Sequence, residues 1–109
     1  MDKIARYGRV VAKPGCADEL ADRLLKAAAD LDDDPGCELY LINREQDAPE
    51  TLWVTELWRS REDLDRVVAE LRKSSEPGEA MALAADWKMI ELDLLGGKGP
   101  VPATERSAA

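Results

Sequence analysis

Histidine and phenylalanine are absent from this 109-residue chain, and cysteine occurs only twice. Imidazole and thiolate are the usual ligands of transition metals, so a chain with no histidine and no Cys/Asp cluster at ligand spacing is not expected to hold a dedicated metal site. Cys16 and Cys37 are too few for a disulfide framework, and their separation differs from the C-x-x-C spacing of redox sites. We therefore interpret them as free thiols.

Long apolar runs are also lacking. The longest one, residues 80–85, is far too short to cross a bilayer. The first six residues carry charge where a signal peptide would need an apolar segment. We expect a cytoplasmic protein with no membrane partner.

Positive charge is scarce, with 15 Lys and Arg against 23 Asp and Glu and a net charge of −8. A phosphate backbone would be repelled by most of such a surface, so nucleic acid is not an expected partner. The acidic run at residues 32–34 could suggest a cation site, but it lacks the spaced D-x-D-x-D-G loop and passes directly into Pro35-Gly36. A solvated turn is the preferred interpretation.

Hydrophobic periodicity predicts an α+β fold with the order β-α-β-β-α-β and a short extra helix before the last strand. This ferredoxin-like arrangement has one four-stranded antiparallel sheet with helices on one face. We expect one domain, residues 1–99, and a flexible C-terminal tail, residues 100–109. The predicted strands are 6–13, 37–44, 51–58 and 87–95, and the predicted helices are 17–32, 61–73 and 79–85.

A β-hairpin predicted within residues 34–60 carries the candidate catalytic residues. If residues 47–50 form a four-residue loop, Asn43, Glu56 and Trp58 share one face of the sheet. They would form a pocket for a planar aromatic or quinone-like molecule, in which Trp58 stacks, Asn43 orients and Glu56 transfers protons. The alternative is that Trp58 only fills the core and Glu56 pairs with an arginine such as Arg9.

These motifs, in this order, resemble the antibiotic biosynthesis monooxygenase (quinol monooxygenase-like) family of dimeric α/β-barrel domains. The resemblance rests on the Pro-Gly-Cys run followed by Tyr40, on the segment 56–60 that enters a helix, on the junction 12–15 and on the glycine-rich stretch 94–99. It implies a ferredoxin-like fold, a homodimer with facing sheets, and a pocket between sheet and helices in each subunit.

The resemblance also bears on the pocket. Trp58 matches the family's tryptophan at the strand end. Val54 and Leu64 occupy positions where polyketide-oxidising relatives have asparagine and tyrosine, and Val68 occupies the position of a histidine in haem-degrading relatives, which makes haem breakdown the least favoured activity. The residues expected to contact the substrate are Tyr40, Trp53, Leu64 and Val68.

The chemistry that the family implies needs no cofactor, because a deprotonated phenol or hydroquinone in a dry pocket can itself pass an electron to dioxygen. The sequence therefore predicts a cofactor-independent monooxygenase that oxidises a phenolic, quinol or polyketide-type small molecule. The alternative is a catalytically silent small-ligand-binding or structural dimer of the same fold. A homodimer is expected in both cases, because the strands carry apolar residues on both faces.

Overall fold

The computed structural model describes residues 3–99, so the predicted tail, 100–109, lies outside the described residues. It confirms the ferredoxin-like α+β fold. The largest difference from the predicted boundaries is at the third helix, which begins and ends earlier and lets the last strand begin earlier as well. The elements are β1 (Ile4–Ala12), α1 (Ala17–Asp30), β2 (Cys37–Glu45), β3 (Ala48–Trp58), α2 (Arg61–Leu71), α3 (Glu76–Met81) and β4 (Ala84–Asp93).

The four strands form one antiparallel sheet in the order β2-β3-β1-β4. Alternate residues of the central strand β3 are buried, namely Leu52, Val54, Glu56 and Trp58. Since successive side chains of a strand point to opposite faces, these four residues define the face that the helices cover. We call it the helix side, and the other face the open face.

Two buried clusters fix the helices on the helix side. Leu20 of α1 packs with Val10 and Leu52, and Leu64 and Val67 of α2 pack with Trp58. Full burial of each such side chain stabilises the fold by roughly 1.5–3 kcal/mol. Leu31 and Tyr40 pack against the second cluster, while Leu24 and Ala80 pack against the first.

The predicted helix start after the hairpin is confirmed. Ser60 is the N-cap of α2, and its hydroxyl accepts a hydrogen bond of 3.2 Å from the Asp63 backbone N–H. Asp63 and Glu62 lie in the first turn, where the helix dipole favours acids. This cap fixes where the chain leaves β3.

The predicted register of the hairpin is wrong by one residue. The connection is a two-residue turn, Gln46-Asp47, and the register shifts next to it, so that Arg44 pairs with Leu52 while Glu45 pairs with Ala48. The skipped residues of β3 include Pro49, which has no N–H to donate to β2. Because a shift of one residue moves every side chain to the other face, Asn43 pairs with Trp53 on the open face.

The open face carries two apolar rows that cross all four strands. One row is Leu41, Thr55, Tyr7 and Ile90, and the other is Leu39, Leu57, Ala5 and Leu92. Leu41, Tyr7, Ile90 and Leu92 remain 49%, 44%, 42% and 39% exposed. The face therefore presents large apolar side chains that nothing within residues 3–99 covers.

Candidate active site

Four polar side chains form a row across the whole sheet on the helix side. Tyr40 of β2 pairs with Glu56 of β3, Glu56 pairs with Arg6 of β1, and Arg6 pairs with Glu91 of β4. The next row toward the hairpin turn is Ile42, Val54, Gly8 and Met89, which has no charged group. The fold thus places this row of four polar side chains next to an apolar surface.

A cavity of about 440 Å³ lies between the helix side and the three helices. Its wall is mainly apolar and includes residues of both buried clusters. Pockets of this size hold small organic molecules in many proteins. Among the residues that line it are Arg6, Tyr40, Val54, Glu56, Trp58, Val68, Trp87 and Met89 from the sheet and α2, and Leu24, Leu31, Ala80 and Met81 from the other helical segments.

Glu56 is the buried acid of the cavity wall, with 3% of its surface exposed. The indole N–H of Trp58 donates a 2.7 Å hydrogen bond to Glu56 Oε1. Burial raises the pKa of the Glu56 carboxyl above its ordinary value, although nearby Arg6 and the Trp58 hydrogen bond act in the opposite direction. A carboxylate that is desolvated and oriented in this way is suited to accept a proton from a bound molecule.

Arg6 is the cation beside this acid. One of its terminal nitrogens lies 3.8 Å from Glu56 Oε1, which is an ion pair but is too long for a hydrogen bond. Its Nε is buried and has no hydrogen-bond partner within residues 3–99. The alternative interpretation pairs Glu56 with an arginine such as Arg9. An arginine is beside Glu56, but it is Arg6, and Arg9 lies on the open face, 3.6 Å from Asp86. The cause is the same alternation of faces, because only even-numbered residues of β1 share a face with Glu56.

Tyr40 completes the polar side of the cavity. Burial, followed by the negative charge of Glu56, raises the pKa of the Tyr40 phenol well above its ordinary value. The hydroxyl therefore stays protonated at any physiological pH and remains a hydrogen-bond donor.

The structure brings four of the predicted site residues together at the cavity, namely Tyr40, Glu56, Trp58 and Val68. The grouping of Glu56, Trp58 and Val68 does not depend on the hairpin register, because Glu56 and Trp58 share β3 and Val68 comes from α2. Tyr40 of β2 reaches the cavity only in the observed register, in which it pairs with Glu56.

Three predicted residues do not line the cavity. The Asn43 amide is exposed on the open face and contacts the Thr55 hydroxyl at 3.4 Å. Trp53 lies on the same face, where its indole N–H donates to Glu45 Oε1 at 2.8 Å. Leu64 is buried behind Trp58, so it supports the cavity wall without forming its surface.

Sequence reasoning missed Arg6, Trp87 and Met89 as cavity residues. Alternation along the predicted strand 87–95 puts Trp87 and Met89 on one face, but nothing in the sequence shows that this face is the helix side. For Arg6 the available signal was strand alternation, because Arg6 lies an even number of positions before Val10 and Ala12 along β1 and therefore shares their face.

Two features are absent from the described part of the chain. Within residues 3–99, no three His, Cys, Asp or Glu side chains are placed to hold a metal ion. No helix there is both long enough and apolar enough to span a membrane.

The fold and the site together define a ferredoxin-like domain with one buried acid in an apolar cavity. The sequence profile described as antibiotic biosynthesis monooxygenase matches residues 4–82. The chain therefore belongs to the antibiotic biosynthesis monooxygenase family. No curated protein gives a significant match.

Several solved structures share the fold over most of the chain. A protein from Chloroflexus aurantiacus J-10-fl, assigned to the same family, is 26% identical, with a TM-score of 0.71 over 90% of this chain and 98% of its own. SnoaB from Streptomyces nogalater, a cofactor-independent oxygenase, is 16% identical, with a TM-score of 0.79 over 89% of this chain and 97% of its own. Rv0793 from Mycobacterium tuberculosis is 22% identical, with a TM-score of 0.72 over 90% of this chain and all of its own.

Proposed function

We propose that this protein is a cofactor-independent monooxygenase that oxidises a phenolic, quinol or polyketide-type aromatic molecule with dioxygen in the cavity beside Glu56. The observation that carries the proposal is the buried Glu56 carboxylate in a mainly apolar cavity of about 440 Å³. Family membership and the description of SnoaB support the same type of reaction.

Glu56 acts as the general base in the proposed reaction. It takes a proton from the phenol, or from the activated CH₂ of an anthrone, and the resulting anion passes one electron to dioxygen. The substrate radical and superoxide combine to form a peroxide. For an anthrone, loss of water then leaves the quinone carbonyl, so that one oxygen atom enters the product and the other leaves as water.

The surroundings of Glu56 support each part of this role. The Trp58 hydrogen bond holds the carboxylate in one orientation, and Arg6 favours its charged form. The row next to it has no charged group to bind water, which favours a poorly solvated substrate anion that can react with dioxygen.

The deciding experiment is oxygen uptake in metal-free and flavin-free buffer with a panel of hydroquinones and anthrones. We expect turnover by the wild-type protein and a loss of about 100-fold or more in Glu56→Gln, which is the range expected for general-base catalysis. Glu38→Gln is the matched control, because Glu38 is an exposed strand acid that pairs with Lys3 at 2.6 Å outside the cavity. Wild-type turnover no greater than that of an unrelated protein would refute the proposal.

A second candidate function is small-ligand binding without catalysis. The observation that favours it is that Val54, Leu64 and Val68 are apolar, so that Tyr40, Glu56 and Arg6 are left as the main polar groups at the buried end of the cavity. The size of the cavity favours a bound small molecule over a purely structural role. Ligand binding by calorimetry together with absent oxygen uptake would select this function.

We also propose that the protein is a homodimer in which two open faces meet. The exposed apolar rows support this, because a monomer would leave them in water and a twofold partner would cover them with the same rows.

A further inference from the structure

We infer that the guanidinium of Arg6 is an anion-binding group and that the cavity selects an aromatic ligand that carries an oxyanion, either a carboxylate or a phenolate. The inference rests on the proposed function in one respect, because it places the ligand in the same cavity. It concerns which ligand binds there and not whether that ligand is oxidised.

The Arg6 guanidinium makes no side-chain hydrogen bond to any group in the described part of the chain. A guanidinium has five N–H donors. Here Nε is buried without a partner in residues 3–99, and the ion pair with Glu56 is 3.8 Å long. Buried donors are normally satisfied, which makes the unpaired Nε unusual. The nearest acid to a terminal nitrogen is the 3.8 Å Glu56 carboxylate, so the terminal N–H groups can donate to an acceptor in the cavity.

Both acids that flank Arg6 in the sheet are bound to other donors. Glu56 Oε1 accepts the 2.7 Å hydrogen bond from Trp58. Glu91 Oε1 accepts a 2.8 Å hydrogen bond from Arg61 at the start of α2. Neither acid forms a hydrogen bond with Arg6, although each lies directly opposite it on a neighbouring strand.

The side chain is also within reach of a ligand. Arg6 lines the cavity and keeps 18% of its side-chain surface exposed, whereas its partner Glu56 keeps 4%. Two other cations of the lining, Arg23 and Lys26, are ion-paired with Glu79 at 3.1 Å and Glu76 at 2.8 Å, so they are less available to a ligand than Arg6 is. A planar guanidinium binds a carboxylate through two parallel hydrogen bonds and favours it over a neutral amide.

The test compares ligands that differ only in charge. Calorimetry with 2-naphthoate and 2-naphthamide measures the preference for a carboxylate. Calorimetry with ionised 4-nitrophenol and with 4-nitroanisole measures the preference for a phenolate. We expect the anion of at least one pair to bind about tenfold more tightly than its neutral partner. Arg6→Gln should bring that ratio to about one. Arg9→Gln removes the same charge from the open face of the same strand and should leave the ratio unchanged.

The inference would be overturned if the anion and its neutral partner bound with equal affinity in both pairs. It would also be overturned if Arg9→Gln lowered the anion preference as much as Arg6→Gln does. If Arg6→Gln does not fold, as judged by its far-UV spectrum, the decision comes from the wild-type protein. The Arg6 guanidinium NMR resonance, assigned by its absence in Arg6→Lys, should shift with the anion and stay in place with the neutral partner. An unmoved resonance would then reject the inference.

The two proposals fail separately. Oxygen uptake without an anion preference would keep the oxidation and reject the role of Arg6. An anion preference that depends on Arg6, without oxygen uptake, would keep the anion site and reject the oxidation.

Discussion

At the scale of single residues, the balance of forces on Glu56 determines the behaviour of the site. Burial disfavours its charged form, while the Arg6 charge and the Trp58 hydrogen bond favour it, and burial is the largest of the three effects. The folded protein therefore holds a proton at Glu56 more tightly than the unfolded chain does. Protonation of the Glu56 carboxyl therefore affects both the stability of the fold and the fraction of protein in which Glu56 is ionised and can act as the proposed base.

The pH dependence of stability should show this coupling. Since the folded pKa of Glu56 is raised above its ordinary value of 4.5, the contribution of Glu56 to stability should fall as pH rises from that value through the folded pKa and stay constant above it. Glu56→Gln should remove this slope. The measurement is urea unfolding of the wild-type protein and of Glu56→Gln from acidic to neutral pH. The quantity compared is the difference between their free energies of unfolding at each pH. A difference that does not change with pH would contradict the raised pKa.

The proposed activity should show the same ionisation. Trp58→Phe keeps an aromatic ring but removes the N–H that stabilises the Glu56 carboxylate, so the pKa of Glu56 should rise further. The acidic limb of the pH profile of kcat/KM should therefore move to higher pH in the variant, with an unchanged shape. A loss of rate that is the same at every pH would instead indicate a role in packing.

At the scale of elements, periodicity predicted every strand and helix, but it could not predict the pairing within the hairpin. Leu39, Tyr40, Leu41 and Ile42 are all apolar or aromatic, so the sequence of β2 does not show which parity faces the helices. The face is set by the two-residue turn and by the skipped residues around Pro49. For that reason Glu56 and Trp58, on the more clearly patterned β3, were placed correctly together, whereas Asn43 of β2 was not. Trp53 is a different case, because it lies on β3 one residue out of step with Glu56 and therefore faces away from it in any register.

The junction between the start of β2 and the start of α2 depends on close contact at Gly36. A Cβ at this buried glycine would lie 2.5 Å from Asp63 Cβ. Asp63 cannot move freely, because its carboxylate accepts hydrogen bonds from Arg59 and Ser60, and these partners lower its pKa to about 2. Burial of Gly36 against Asp63 therefore fixes the hairpin against the helix that supports Trp58.

Gly36→Ala should destabilise the protein by roughly 1–3 kcal/mol, because inserting a methyl group here forces the helix start to shift. Gly78→Ala is the matched control, since Gly78 lies in α3 with no atom within 4 Å of an added Cβ. That change should be neutral or stabilise by up to about 1 kcal/mol. Denaturant midpoints of the two variants test the comparison, and equal effects would contradict it.

At the scale of the whole molecule, one sheet presents two unlike faces. The helix side carries the cavity and the polar row, and the open face carries the apolar rows with Leu41, Tyr7 and Ile90 exposed. Because the faces alternate along every strand, the register that brings Glu56 to the cavity also brings these residues to the open face. The site and the proposed dimer surface therefore arise from the same pairing.

An obligate homodimer should show a thermal midpoint that rises with protein concentration, because folding and association are then linked. Leu41→Lys places a charge on each copy of the open face and should weaken association by about tenfold or more, since like charges meet across a twofold interface. Leu25→Lys is the control, because Leu25 is 52% exposed on α1, away from that face. Light scattering at micromolar concentration measures the mass. A wild-type mass of 12.0 kDa with an intact far-UV spectrum would show a folded monomer and refute the prediction.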